Sequence, residues 1–481
     1  MTEAAAPARA SGALLRDALV TIASRFGIAI LIFATDIVLA RLLGPAAKGR
    51  FNLVLLTSQL AAVLVGWGMD AALGVVAARD RETARRGLAN AVVWSAVVGG
   101  FAVVAACVLY GVPTPGPPDG PLASLIPGLD GRQFAMAALA IPAETFFSLG
   151  LFALLGRRHV TTYAGIRLLR RGLLLGLVVA AAAIARLSLE VALVVNLVSL
   201  GATAIAILFM ASRHGIGARR PDATLLGEEL RFGSRSVLST LAERLLFRGD
   251  AFLVNLFLGV RWTGIYSVTQ ALAETLWYIP NALGTVMFSR AVDPNADPSR
   301  TASVLTRTTI AVTFATAIPA FILGPRLVRL VYGTQFVDAG VALRFILPGI
   351  VAYSVVAVLS RYVVGRGRPG TNTLILLAGL AVNVTANLVL IPARGIVGAA
   401  IASSISYAVT AGLMLAVFVR MSGRGWLETL VIRPSDLRAL GRALAALRDR
   451  LAGRRGGPLV GLRGDAAAEM IVGEREPGEE R

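Results

Sequence analysis

Residues 36–51 read DIVLARLLGPAAKGRF, and residues 250–266 read DAFLVNLFLGVRWTGIY. In each stretch an acid stands eight or nine residues before a glycine, a second glycine follows five later, and an aromatic comes two beyond that. The positions are Asp36, Gly44, Gly49 and Phe51 in the first, and Asp250, Gly259, Gly264 and Tyr266 in the second. Glycines often end helices and aromatics often sit at membrane interfaces, so either stretch alone says little. Both, however, fall at the turn between the first and second apolar blocks of a half-chain. The pair reads as an internal repeat, its halves joined by a basic stretch from Arg213 to Arg231.

The apolar blocks around this repeat define the fold class. The chain is 56% hydrophobic and 16% charged, with a mean hydropathy of +0.72; a soluble chain carries about 25% charged residues. A hydrocarbon core about 30 Å thick takes about 20 apolar residues per helical crossing. On that scale the sequence predicts twelve spans: 18–43, 51–78, 88–112, 134–156, 163–185, 189–211, 236–260, 262–288, 304–324, 341–365, 370–391 and 396–420. The fifth and seventh carry several charges. Six spans per half give both halves one orientation, related by an axis along the membrane normal. The expectation is an all-α integral membrane protein with about 12 transmembrane helices in two parallel six-helix lobes. Its divisions are a cytoplasmic N-terminus (1–17), lobes over 18–211 and 236–420, a cytoplasmic linker over 212–235, and a C-terminal tail over 421–481.

Net charge is +19, carried almost wholly by arginine; Lys48 is the one lysine. In a soluble protein this would suggest nucleic acid. Here the cations concentrate in loops, so no nucleic-acid partner is expected. With both termini inside, loops near 79–86, 157–171, 213–235, 290–307 and 361–368 hold about twice the Lys/Arg of the outside loops, as the positive-inside rule requires. This places the chain in the cytoplasmic (inner) membrane as a multi-pass protein with both termini cytoplasmic. The long outside loop, Gly111 to Arg132, is rich in proline and glycine. Beyond Arg420, Leu437, Leu440, Leu444, Leu447 and Leu451 recur among arginines as a basic amphipathic helix suited to an anionic lipid surface. Acidic, disorder-prone sequence follows it.

Motifs for soluble chemistry are missing. Cys107 is the sole cysteine, which excludes an internal disulfide. His159 and His214 read as solvated loop residues, and two isolated histidines do not make a metal centre. Alanine precedes Lys48, so the chain has no phosphate-binding P-loop, and HExxH, CxxC and GxSxG do not occur. Neither an enzyme nor a bound cofactor or metal is expected.

Ionisable residues inside spans are costly and therefore mark function. They are Arg25, Asp36, Asp70 and Glu144 in the first half, and Glu243, Arg244, Arg248, Asp250, Glu274 and Arg361 in the second. At about 100° per residue, Glu243 and Asp250 fall within roughly 20° of each other, and Arg244 and Arg248 within roughly 40° on another face. The seventh helix thus has an acidic and a basic stripe and must line a polar cavity or meet charged neighbours. Glu144 follows Pro142 and Glu274 precedes Pro280, near expected kinks. Structural ion pairing and ligand or ion contact are both open for Asp36 and Asp250. Arg361, near a span end, reads as a topology determinant.

The two repeat stretches, Ile279-Pro280, and Asn387-Leu-Val-Leu-Ile-Pro392 with Gly395-Ile-Val-Gly398 resemble the O-antigen-type polysaccharide flippases of the multidrug/oligosaccharidyl-lipid/polysaccharide (MOP) exporter superfamily. The resemblance covers residues 18–420. It implies alternating access and a polyprenyl-pyrophosphate-linked oligosaccharide, moved from the inner to the outer leaflet for cell-surface polysaccharide biosynthesis. Arg25, Arg244 and Arg248 would then contact the pyrophosphate, since planar guanidinium donors bind its oxygens in pairs. Asp36, Glu144, Asp250 and Glu274 would pair with those arginines or carry a coupling proton or sodium ion. Implied partners are membrane lipids, a polysaccharide polymerase and glycosyltransferases. Lipid II flippases of this superfamily place an arginine just before the acid of the first helix; here that residue is Thr35. The alternatives are an ion-coupled multidrug and toxin extrusion transporter and a non-transporting scaffold of a glycan assembly complex.

Overall fold

The computed structural model describes the backbone of residues 5–112, 118–184, 187–277 and 297–434, with positions 280, 281, 284, 287, 436 and 438. Side chains are described from residue 24 onward, that of Arg25 excepted. All regular structure among these residues is helical. The first half holds α1 (Ala5–Gly66), α2 (Met69–Arg79), α3 (Arg81–Tyr110), the short α4 (Pro121–Leu125), α5 (Gly131–Gly156), α6 (Val160–Ile184) and α7 (Leu189–Arg213). The second holds α8 (Ala223–Arg248), α9 (Asp250–Leu258), α10 (Val260–Leu276), α11 (Pro298–Tyr332), α12 (Val337–Gly365), α13 (Pro369–Ser422) and the short α14 (Trp426–Leu430).

Every expected span has a helical counterpart, though several junctions differ from a simple loop. The first two spans are one unbroken run, α1, folded at Gly44, and the last two are α13, folded at Gly395. The second span breaks at Trp67 and Gly68, both at positive φ, before α2 completes it. The seventh breaks at Gly249 between α8 and α9. Among the described helices, seven are long and apolar enough to cross a membrane by composition. The charge-bearing α6 and α8 are not among them.

Large apolar side chains cover the outside as well as the core: Phe101, Ile205, Phe314 and Leu330 are all more than half exposed. A soluble fold does not tolerate such a perimeter, whereas hydrocarbon solvates it. Helix starts follow ordinary capping. Asp80 accepts from the amide of Thr83, and Asp130 with Gln133 forms a reciprocal capping box at α5.

The repeat is visible in the backbone. Gly44 has φ 72°, ψ 175° and Gly259 has φ 81°, ψ 176°, the same conformation and one open essentially to glycine alone. The second glycine of each stretch then packs against its counterpart. A Cβ on Gly49 would lie 1.8 Å from the carbonyl oxygen of Val260, and one on Gly264 would lie 1.9 Å from that of Pro45. Only two bare backbones can approach this closely, so the halves touch at equivalent positions. Separate apolar clusters support the two lobes. One gathers α8 to α13, with Ala40 added from α1. Two others lie in the first half, one around Met69, Leu88 and Leu149 and one around Phe51, Phe134 and Leu193.

The loop after α3 is ordered where it is described. Tyr110 stacks on Phe134 with ring centres 3.7 Å apart and donates its hydroxyl to Leu129 O at 2.9 Å. His159 and His214, expected as separate solvated residues, stack on each other at 3.9 Å, because the α5–α6 turn packs against the end of α7. The expected basic helix over 437–451 lies, apart from the backbone of Arg438, outside the described residues. The segment ahead of it is clamped to α11, where Arg307 donates to both oxygens of Asp436 at 2.8 and 3.1 Å.

Candidate functional site: a charged cleft between the lobes

Two cavities of about 370 and 510 Å³ lie between the halves and share Ile32, Gln59, Arg171 and Arg244 in their walls, so they form one cleft. The wall is built from α1, α2, α5 and α6 on one side and α8 and α10 on the other. It carries the cations Lys48, Arg167, Arg170, Arg171, Arg244 and Arg248, and the acids Asp36, Asp70, Glu144, Glu243 and Glu274.

Three of the acids are held in pairs. Lys48 Nζ lies 2.5 Å from Asp36 Oδ1, four residues past the Gly44 bend that folds the chain back. Arg170 on α6 grips Glu144 on α5 with two hydrogen bonds, at 2.9 and 2.5 Å, both residues being buried. The same guanidinium lies over the Phe147 ring at 4.5 Å, a position that supplements the pair. Arg248 Nη2 meets Glu274 Oε2 at 2.6 Å across α8 and α10. Asp70 accepts from Ser148 at 3.4 Å and from the amide of Ala71. Arg244 makes no ion pair or hydrogen bond among the described residues, and it stands in the wall shared by both cavities with Arg171.

Of the site residues expected from sequence, Asp36, Glu144, Arg244, Arg248 and Glu274 line the cleft. Asp250 does not. It is buried in the second lobe and accepts hydrogen bonds from Tyr266 at 2.6 Å, Gln270 at 2.6 Å and Ser403 at 3.0 Å. Asp36 and Asp250, equivalent in the repeat, thus have different surroundings: Phe51 carries no hydroxyl where Tyr266 does, and a lysine serves the first acid instead. The side chain of Arg25 lies outside the described residues.

Arg167, Arg170 and Arg171, which fall both in the expected span 163–185 and in the inside loop near 157–171, lie on α6, whose first residue is Val160. Their spacing of three and four is the signal that was available, since it aligns them on one helix face. Arg361, read from sequence as a topology determinant, lines a small chamber beside the cleft.

The halves also touch each other at two places. At the end bearing the 79–86 and 213–235 segments, Gly68 and Gly233 abut, with a Cβ on Gly68 only 2.3 Å from Gly233 O. There Arg79 pairs with Glu228, Arg86 with Asp222 at 3.2 Å, and Asn90 donates to Glu229 at 3.2 Å. The Arg79 hydrogen bond holds the Glu228 carboxyl below its ordinary range, and the amide of Leu225 with Arg86 does the same for Asp222. Glu229, wholly buried at the start of α8 and ahead of the 236–260 span, is pushed up by burial to about 7. At the other end the Gly49–Gly264 contact is joined by Arg41, which donates to Val331 O at 2.6 Å, and by Asn255, which donates to Pro127 O at 2.7 Å.

A family model described as a polysaccharide biosynthesis protein matches residues 133–340. A curated relative from Haloferax volcanii, a probable low-salt glycan biosynthesis flippase, Agl15, is 24% identical over 303 residues. The match spans 59% of this chain and 61% of the relative, less than two thirds of that protein's length. Among solved structures, the lipid II flippase MurJ in an inward closed conformation superposes with a TM-score of 0.65 at 12% identity, covering 94% of this chain and 97% of its own. An inward-facing multidrug resistance MATE family transporter of the MOP superfamily superposes at 0.64 and 16% identity, covering 82% and 94%. These structural likenesses establish the fold. The family model and the curated relative add a similarity to polysaccharide and glycan biosynthesis proteins.

Proposed function

We propose that the chain flips a polyprenyl-pyrophosphate-linked oligosaccharide from the inner to the outer leaflet by alternating access, for cell-surface polysaccharide biosynthesis. The two lobes are the moving bodies, and the cleft between them holds the head group while the polyprenyl chain stays in hydrocarbon. A sugar-pyrophosphate head cannot cross an apolar core unaided, because its charges would be stripped of water. The observation that carries the reading is the arginine wall contributed by both lobes: Arg167, Arg170 and Arg171 from α6 and Arg244 and Arg248 from α8. Lys48, Arg170 and Arg248 already neutralise Asp36, Glu144 and Glu274, and Arg244, which makes no ion pair among the described residues, is the cation placed to meet an anionic head. An exporter of organic cations needs the reverse arrangement, acids left without competing arginines. The similarity to a glycan biosynthesis flippase points the same way. A coupling proton or sodium ion would act at the acids, with Asp250 a separate position inside the second lobe.

The test is lipid translocation by the full chain in proteoliposomes, using a fluorescent polyprenyl-pyrophosphate disaccharide. Arg244→Ala with Arg248→Ala is expected to reduce translocation by at least tenfold with the protein still folded in the membrane. Undiminished translocation by that variant would sink the pyrophosphate assignment.

A further inference from the structure

A chamber of about 90 Å³ opens in the second lobe beside the cleft, walled by Phe247, Trp277 and Tyr353, with Glu243, Ser360 and Arg361 among its polar lining. Phe247 and Glu243 belong to the walls of both this chamber and the 510 Å³ cavity, so they form the partition between the two. The rings make one assembly. Phe247 and Trp277 lie 4.3 Å apart, Phe247 and Tyr353 5.0 Å, and Tyr407 packs 5.2 Å from Tyr353. Trp277 is the residue at which α10 ends, with Pro280 close behind, so the helix break presents the indole to this space. Its Nε1–H is buried with no acceptor among the described residues.

Most aromatic clusters in a helical bundle fill a core with apolar neighbours. This one differs on three counts: it encloses a void, it carries a carboxylate, a hydroxyl and a guanidinium at its rim, and its indole donor has no acceptor among the described residues. An unpaired buried donor costs about 1–3 kcal/mol, so a ligand acceptor reaching it recovers that loss. A charged organic cation would meet Arg361, and a bare alkyl chain would leave the polar rim unpaired. A pyranose suits both parts of the lining. One face of the ring is a patch of C–H bonds, attracted to the negative face of an aromatic ring, and its edge is a row of hydroxyls for carboxylate, hydroxyl and guanidinium partners. The void has room for about three waters, enough for a ring edge and its exocyclic arm, with the rest of the sugar in the cleft beyond Phe247.

We propose that the Phe247–Trp277–Tyr353 chamber is a carbohydrate subsite, which takes a sugar of the head group while the arginine wall holds the pyrophosphate. This rests on the flippase reading above and adds to it a place where sugar is distinguished from no sugar.

The experiment measures binding of two probes to the full chain in nanodiscs: polyprenyl pyrophosphate, and the same lipid carrying a single hexose. The expected result is that the hexose-bearing probe binds about tenfold more tightly to the parent protein, the value of one aromatic face and one satisfied donor. Trp277→Leu removes that margin and leaves the sugar-free probe unchanged, while Trp277→Phe, which keeps a ring, retains part of it. Equal binding of both probes by the parent, or an equal loss of both in Trp277→Leu, overturns the subsite and leaves the pyrophosphate reading intact. Failure of the parent to bind either probe overturns the flippase reading and the subsite with it.

Discussion

Glu229→Gln is expected to make closure of the lobes at the 213–235 end independent of pH. Glu229 is wholly buried where α8 meets α2 and α3, with Asn90 donating to one carboxyl oxygen and the other oxygen without a partner. The charges acting on it are Glu228 and Asp222 on its own segment, each paired with an arginine of the other half, and their negative charge raises it further. Closed, the carboxyl titrates at about 7; facing water, it returns to its ordinary 4.5. Between those two values the closed form holds a proton that the open form has released. Each pH unit in that window therefore weakens closure by about 1.4 kcal/mol, roughly 3 kcal/mol in all. The contact is strongest at or below about 4.5 and reaches its floor above about 7. Between pH 6 and pH 8, which includes about one unit of the window, closure should become about tenfold less favourable. Pulsed electron resonance distances between labels at Arg158→Cys and Arg231→Cys, with Cys107→Ser to remove the native thiol, read the closed and open populations. The reasoning fails if the parent shows no shift over this range, or if Glu229→Gln keeps it.

Two further outcomes follow from packing. Arg170→Met removes one member of the buried pair with Glu144 and should cost about 3–5 kcal/mol, read as a lower unfolding temperature in detergent; adding Glu144→Gln should restore most of the loss. Gly49→Ala places a methyl 1.8 Å from Val260 O, where backbone on both sides cannot give way. It should destabilise the chain by about 1–3 kcal/mol and lower the unfolding temperature, whereas Gly100→Ala, whose Cβ meets nothing within 4 Å, should not.

The parts of the molecule legible in sequence are those set by local physics. A run of about 20 apolar residues crosses a bilayer whatever it packs against, so each span could be placed before its neighbours were known. The Gly44 and Gly259 bends were legible for a similar reason: their backbone conformation excludes a side chain, and the sequence keeps glycine at both. The site was less so. Asp250 draws a hydrogen bond from Ser403, 153 residues on, and no spacing rule relates positions so distant. Glu229 falls in the stretch expected as a linker, and nothing local marks it, because its burial comes from α2 and α3. The α6 arginines stand where the expected inside loop and the expected span overlap, and their three- and four-residue spacing is the geometric cue that sets them on one helix face.

Lys48, the chain's one lysine, has a practical consequence. A lysine-specific protease has a single bond to cut, just beyond the first bend, and the residue it must grip is 3% exposed and held by Asp36. Cleavage into two fragments therefore requires that pair to part and the second helix to unwind locally. The rate of that one cut is a built-in clock for how often the chain breathes at the wall of its own cleft.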